Sequence, residues 1–282
     1  MNTSNTSTTL ILGARGQIGS ALARLLRAEG QAVLRATHGA TTEPDQVHID
    51  LASGAGIDGA FARADRAFLL CPPGFTRQDL LLAPAIEAAV RHSLNKVVLM
   101  TAMGADADPD SPLRRAELQL ERSGLAYTVL RPNWFMQNFH NFWLHSILAE
   151  GLIKLPVGNA KGSFIDTRDI AAVAATVLGD PAHDGRAYDL TGSEALNHDE
   201  VASLLSEVSG RAIRFQDIEP EAMRPALIAA GLPADYADFL LRILGYFKQG
   251  YAERVTPSVG DILGRAPITF AQHAREYRHV WA

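Results

Sequence analysis

The chain of 282 residues has a single cysteine, Cys71. An intrachain disulfide and a cysteine-built zinc cluster are therefore excluded, and a reducing, cytoplasmic setting fits such a composition. No charge of one sign dominates: 26 Lys and Arg stand against 31 Asp and Glu, a formal net charge of −5. The basic clustering of a nucleic-acid binder is missing, as are helix-turn-helix and zinc-finger patterns, so no nucleic-acid partner is expected. Long apolar runs are missing too. The longest, such as residues 170–179, reach about half of the roughly 18–20 residues needed to span a bilayer, and no membrane partner is expected. Residues 1–9 lack the basic and apolar regions of a signal peptide; residues 1–8 read as a flexible lead. The nine His residues show no His-Glu-x-x-His or comparable spacing, so no metal is expected. A Gly-x-Ser-x-Gly elbow is also absent, which argues against an α/β-hydrolase.

What is present is alternation. Short β-rich runs at 9–12, 32–36, 46–49, 67–70, 96–100 and 127–130 are separated by amphipathic helical stretches at 17–29, 78–92 and 113–123. Strands joined through helices pair in parallel, which predicts an α/β fold with a doubly wound parallel sheet, a Rossmann fold. After Pro132 the pattern changes. Residues 134–150 read as one helix with a heavy aromatic load. Short strands are expected at 162–165, 187–190 and 213–218, and helices at 168–178, 199–209, 220–230, 234–248, 259–263 and 270–277. The expected organisation is a nucleotide-binding core over 9–155. A mixed segment over 156–282 completes the sheet and forms a smaller, mostly helical C-terminal substrate lobe, the two sharing one cleft.

Leu10-Ile11-Leu12 suits a central strand buried on both faces. It runs into Gly13-Ala14-Arg15-Gly16-Gln17-Ile18-Gly19 and then a helix. Gly13 permits the turn off the strand, Gly16 lets backbone approach a pyrophosphate, and Gly19 lets the helix pack on the strand. The helix N-terminus offers free amides to phosphate. Three glycines alone are a weak signal; placed between a buried strand and a helix at the start of an α/β chain they are a strong one. No Lys-Ser/Thr pair follows, which excludes a P-loop. The acid that bonds the ribose 2′-hydroxyl of NAD is also missing: the second strand ends Leu34-Arg35-Ala36-Thr37-His38, and no acid appears before Glu43. Arg15, Arg35 and His38 can face a 2′-phosphate instead, although all three also read as solvent-exposed basic residues, Arg35 above all. NADP is the expected cofactor, with NAD as the alternative.

With that loop in place, several separated segments carry a resemblance to the NmrA-like branch of the atypical short-chain dehydrogenase/reductases. They are residues 67–74 (AFLLCPPG), 96–105 (KVVLMTAMGA), 123–138 (SGLAYTVLRPNWFMQN), 164–171 (FIDTRDIA) and 263–270 (LGRAPITF). The family includes reductases of quinones, azo and triphenylmethane dyes and cyclic iminium intermediates, and also non-catalytic sensors of cofactor redox state. The resemblance implies that Cys71 and Pro72 after the fourth strand, and Thr101 and Ala102 after the fifth, flank ribose and nicotinamide. It further implies that Pro132 and Asn133 sit by the nicotinamide end, and that Asp50 lies near the adenine; a turn residue is an equal account of Asp50. Cys71 reads as a small buried residue rather than a nucleophile.

Ordinary short-chain dehydrogenases use Tyr-x-x-x-Lys, and this chain has no such pair: the helix entrance reads PDSPLRRAE over 109–117. That departure suits acceptors needing hydride more than a strong acid, and the expected activity is an NAD(P)H-dependent reductase for a flat or aromatic small molecule. A non-catalytic NADP(H) sensor is the alternative. Thr101, Arg115 and His140 are the candidate catalytic donors, with His145 behind them. Each has a plainer reading: Thr101 bonding backbone, Arg115 pairing with Glu117 or Glu121, the histidines packing among aromatics. Met103, Phe135, Met136, Phe139 and Trp143, with Tyr246 and Phe247 from the C-terminal lobe, are candidates for a substrate wall, although such side chains at helical spacing are more often core. A monomer or homodimer is expected.

Overall fold

The computed structural model describes residues 7–282. Residues 1–6 of the expected N-terminal lead lie outside the described residues, and Thr8 already belongs to a strand. In chain order the strands are β1 (Thr8–Ile11), β2 (Ala32–Thr37), β3 (Gln46–His48), β4 (Arg66–Leu70), β5 (Lys96–Met100), β6 (Tyr127–Pro132), β7 (Leu152–Leu155), β8 (Arg186–Leu190) and β9 (Arg214–Asp217). The helices are α1 (Gln17–Ala28), α2 (Ile57–Phe61), α3 (Gln78–Arg91), α4 (Pro112–Glu121), α5 (Leu144–Glu150), α6 (Thr167–Gly179), α7 (His198–Ser209), α8 (Pro220–Ala229), α9 (Ala234–Lys248), α10 (Ser258–Leu263) and α11 (Phe270–Glu276).

The chain divides into two compact units. The first holds the residues up to Arg131 together with Ile170–Asp189; the second holds Pro132–Asp169 and Leu190–Ala282. The main sheet has seven strands in the order β3-β2-β1-β4-β5-β6-β8, and every pairing from β3 to β6 is parallel. The order reverses between β1 and β4. In open α/β sheets that switch point is where a crevice opens beyond the carboxyl ends of the strands. The central strands carry continuous apolar runs because helices cover both faces: Leu10, Leu69, Val97 and Leu99 are buried in one core with Leu82 and Leu120. On α1, Ile18, Leu22 and Leu26 recur at helical spacing and are buried. Ser111 caps α4 by accepting from the Arg114 N–H (3.1 Å), and Pro112 occupies the first helical position.

The second unit contains the parallel pair β7 and β9, of which sequence patterning signalled only β9. Its core gathers Phe139, Phe164, Phe247, Phe270 and Trp281, and a reciprocal capping box of Asn197 and Glu200 starts α7. The expected single helix over 134–150 is not formed. Trp134 accepts from the Ile165 N–H (2.9 Å) and the Met136 N–H donates back to the Ile165 carbonyl (3.0 Å), so this stretch begins extended. A short 3₁₀ turn over Met136–His140 follows, Asn141 leaves helical geometry at φ −125°, and only then does α5 begin. The Asn- and aromatic-rich sequence has little intrinsic helix preference to oppose this. Residues 162–165, expected as a strand, contribute only isolated bridges.

Candidate functional site

The loop between β1 and α1 is built around missing Cβ atoms. Gly13 has φ +66°, and a Cβ there would lie 2.7 Å from the Leu70 side chain at the end of β4. A Cβ on Gly19 would lie 2.3 Å from the Gly13 carbonyl oxygen and 2.8 Å from Ala14 Cα. Gly19 therefore lets the first turn of α1 close onto the loop itself, a tighter constraint than packing on the strand. Gly16 is the N-cap of α1 in extended conformation, with no side chain capping the helix. Its Cβ would stand 3.2 Å from the same Gly13 oxygen. Gly13, Arg15, Gly16 and Gln17 are exposed while Ile18 and Gly19 are buried. The first-turn amides and the positive end of the helix dipole together form an anion cradle. That cradle, whose loop closes so tightly only because these positions carry no Cβ, fits a pyrophosphate.

At the end of β2 the basic residues separate. Arg35 is committed to Asp45 (2.7 Å) and Glu43 (2.6 Å), the surface-charge reading left open above. Arg15 is exposed, and a Cβ on Gly39 would lie 4.0 Å from its Nη1, so its guanidinium reaches the turn after β2. His38 is 83% exposed there, 3.8 Å from Asp50. Asp50 ties its own turn, accepting from the Ala52 N–H (2.9 Å) and the Ser53 hydroxyl (2.6 Å); the Ser53 bond, ahead of that from Ala52, holds its carboxyl below the usual carboxylate range.

Beyond β4, Cys71 and Pro72 are half-buried. Burial pushes the Cys71 thiol up to about 12, so it is no nucleophile at neutral pH. Beyond β5, Thr101 is buried and Ala102 and Met103 half-buried. The Thr101 hydroxyl donates to Glu117 Oε1 (2.7 Å), not to backbone. Glu117 is fully buried on α4 and also accepts from Arg131 Nε (3.0 Å), Arg131 Nη2 (2.7 Å) and Arg114 Nη1 (2.9 Å). Arg131 reaches on to Asp106 (2.6 Å). Sequence reading missed Glu117, Arg131 and Asp106. The available signal was Arg131 itself, a charge ending the apolar run Val129-Leu130, which needs a buried partner. Arg115, expected to pair with Glu117 or Glu121, instead meets Asp110 (3.1 Å) and approaches Asp79 (4.0 Å); it is Arg114 that pairs with both glutamates. Arg115 also lines a shallow groove between α3 and α4, with Ile86, Val90 and Leu118, that includes no residue of the glycine loop.

In the second unit Pro132 is buried. The Asn133 amide group is spent on Ser163 Oγ (2.7 Å) and the Ala252 carbonyl (2.8 Å). Met136, Phe139 and Phe247 are at most 2% exposed, inside the unit's core. Phe135 and Trp143 are half-buried and Tyr246 is exposed, as is His145. His140 lies among His273 (5.3 Å between ring centroids), Tyr277 (4.8 Å) and Trp281 (6.2 Å). Burial, then the neighbouring His273, lowers it to about 4. His273 Nδ1 is 2.8 Å from Asp166. Against the burial that would raise it, hydrogen bonds from His273 and Arg168 hold the Asp166 carboxyl well below its ordinary value. His198, ringed by Phe139, Phe164, Phe215 and Phe247, has no partner for either ring nitrogen, and burial lowers it to about 3. Among the described residues there is no cluster of His, Cys, Asp and Glu able to hold a metal ion, and no helix is long and apolar enough to cross a membrane.

Comparison with known proteins finds relatives that span nearly the whole chain. An NAD(P)H azoreductase of Xenophilus azovorans is 31% identical over 285 residues, spanning 95% of this chain and 97% of the relative. The fold superposes on a Citrobacter triphenylmethane reductase complexed with NADP(H), with a TM-score of 0.81 at 22% identity over 96% of this chain and 99% of the other. It also superposes on NmrA, a negative transcriptional regulator in complex with NADP, with a TM-score of 0.78 at 16% identity over 98% and 97%. The model of the NmrA-like family matches residues 5–263, and the chain belongs to that family.

Proposed function

We propose that this protein is an NAD(P)H-dependent reductase for a conjugated or aromatic acceptor of the quinone, azo, triphenylmethane-dye or iminium type. The observation that carries the reading is the glycine loop, whose backbone and helix N-terminus are laid open by Gly13, Gly16 and Gly19 at the switch point of the sheet. When bound, the reduced nicotinamide supplies the hydride. Gln17, Ile18 and Gly19 present their amides to the pyrophosphate. Arg15, with His38 beside it, holds the 2′-phosphate of NADP; NAD lacks that group and gains nothing there. Cys71, Pro72, Thr101 and Ala102 form the floor beneath ribose and nicotinamide.

The choice of acceptor follows from what the donors can do. The proton of Thr101 is held by Glu117, the Arg115 guanidinium gives up no proton in proteins, and His140 is neutral at pH 7. With no Tyr/Lys pair on α4 either, a carbonyl that must be protonated as it is reduced is poorly served. Acceptors that take hydride directly, and draw any proton from water, are well served. Of the aromatic candidates, Phe135, Trp143 and Tyr246 keep accessible surface and are the ones we assign to an acceptor; Met136, Phe139 and Phe247 are assigned to packing. The single cysteine fits a cytoplasmic setting, and we propose a monomer or homodimer.

The test is a panel assay following NADPH absorbance with quinones, azo dyes, triphenylmethane dyes and cyclic iminium ions. Oxidation by at least one class is expected. NADPH binding without oxidation by any class would favour the second reading, a cofactor-sensing protein without turnover, to which the absent acid and the likeness to NmrA both lend weight.

A further inference from the structure

Glu117 is a carboxylate with no exposure, on a helix that has solvent-facing positions to spare. Removing a carboxylate from water is costly, and well-packed apolar side chains of similar volume commonly serve stability as well or better. Its charge is already answered by two guanidiniums, so the bond from Thr101 is not needed for neutrality. With Oε1 taken by Thr101 and Arg131 Nε, and Oε2 by Arg131 Nη2 and Arg114 Nη1, each lone-pair position of the carboxylate faces a donor. It can only accept. A threonine hydroxyl has one proton and two lone pairs. Because that proton goes to Glu117, the hydroxyl has only lone pairs left for any ligand.

Thr101 stands one residue beyond Met100. Met100 pairs with Leu70 in the sheet, and Leu70 is the side chain that a Cβ on Gly13 would strike. The end of β5 is thus joined through the end of β4 to the start of the glycine loop. We propose that Glu117 is a positioning residue that makes Thr101 a dedicated hydrogen-bond acceptor for the nicotinamide half of the dinucleotide, where it meets an N–H of the carboxamide or an O–H of the ribose. This rests on the dinucleotide reading above. It also reverses the role expected for Thr101 from sequence: Thr101 orients the cofactor and gives no proton to the acceptor.

The experiment is equilibrium binding to the full-length wild type, Thr101→Val, Thr101→Ser, Glu117→Gln and the double variant Thr101→Val/Glu117→Gln. The ligands are NADPH, NADP⁺, its 3-acetylpyridine analogue, which lacks the carboxamide N–H, and 2′,5′-ADP, which lacks the nicotinamide half. Thr101→Val should weaken NADPH by roughly five- to tenfold, the size of one hydrogen bond, and leave 2′,5′-ADP unchanged; Thr101→Ser should stay within about twofold of wild type. Glu117→Gln should weaken NADPH in the native background but add nothing to Thr101→Val, because it acts through that hydroxyl. A loss confined to NADP⁺ over its acetylpyridine analogue assigns the carboxamide; equal losses assign the ribose. Unchanged NADPH affinity in Thr101→Val, multiplied losses in the double variant, or a parallel loss of 2′,5′-ADP would each overturn the proposal. If Glu117→Gln does not fold, the two Thr101 variants decide the matter alone. Failure of the wild type to bind NADPH and 2′,5′-ADP at all would instead remove the dinucleotide reading.

Discussion

Gly16 and Gly19 look alike in the sequence and differ in what surrounds them. A Cβ on Gly19 meets the Gly13 carbonyl at 2.3 Å, backbone that cannot yield, whereas one on Gly16 meets it at 3.2 Å. Gly19→Ala should therefore lower unfolding stability by about 2 kcal/mol or more, a cost typical of overpacking. Gly16→Ala, at an extended N-cap where Ala serves less well than Gly, should cost about 1 kcal/mol, less than Gly19→Ala, while weakening NADPH through the lost approach of backbone to phosphate. Urea titration and NADPH binding check both; equal destabilisation by the two variants would contradict this geometry. Arg15→Ala should weaken NADPH by roughly 10- to 100-fold, the range for a hydrogen bond to a charged group, and NADH much less. Equal losses measured by calorimetry would take Arg15 away from the 2′-phosphate. The loop was legible in the sequence because its glycines punctuate a strand-to-helix switch. The partner of Thr101 was not legible. Glu117 is flanked by Arg114, Arg115 and Glu121, and only the packed structure shows that its position, next to buried Ala116 and three before buried Leu120, turns inward.

At the scale of elements, regular segments followed their periodicity. β5 and α9 occupy the expected residues, and β1 to β4 and β6 lie within a residue or two of them, because runs buried on both faces and amphipathic stripes are local signals. The stretch from Trp134 to Glu150 defeated local reading: its backbone is claimed by Ile165, distant in sequence. The same second unit keeps two histidines neutral by burial, His198 lowered to about 3 and His140 to about 4 from 6.5. The unfolded chain thus binds more protons than the folded one below pH 6.5, so this contribution is intact above pH 6.5 and is lost as pH falls toward 4. For fully enclosed His198 the loss at pH 5 is about 2 kcal/mol. The chain's three tryptophans, Trp134, Trp143 and Trp281, all lie in this unit, so their fluorescence reads its unfolding. The urea midpoint by tryptophan emission should fall between pH 7 and pH 5, and His198→Leu should flatten that fall. A midpoint independent of pH would contradict the assigned burial.

For the whole molecule, the chain leaves the unit of the seven-stranded sheet after Arg131 and returns to it for Ile170–Asp189. One cysteine excludes an intrachain disulfide and a cysteine-built zinc cluster; the reactivity proposed above comes with the bound nicotinamide dinucleotide. Binding it should also stabilise the fold. NADPH at about 100 times its Kd should add about 2.7 kcal/mol, visible as a raised thermal midpoint. The most direct test of the reductase reading follows the label itself. The protein is mixed with NADPH deuterated at one or the other face of nicotinamide C4, and separately with a triphenylmethane dye and a cyclic iminium ion, both of which receive hydride at carbon. One deuterium at that carbon, from only one of the two labelled faces and at a rate insensitive to pH between 6.5 and 8, is the predicted result. NADPH that binds tightly yet transfers no label to either acceptor, with the quinone and azo classes also inert, would contradict it.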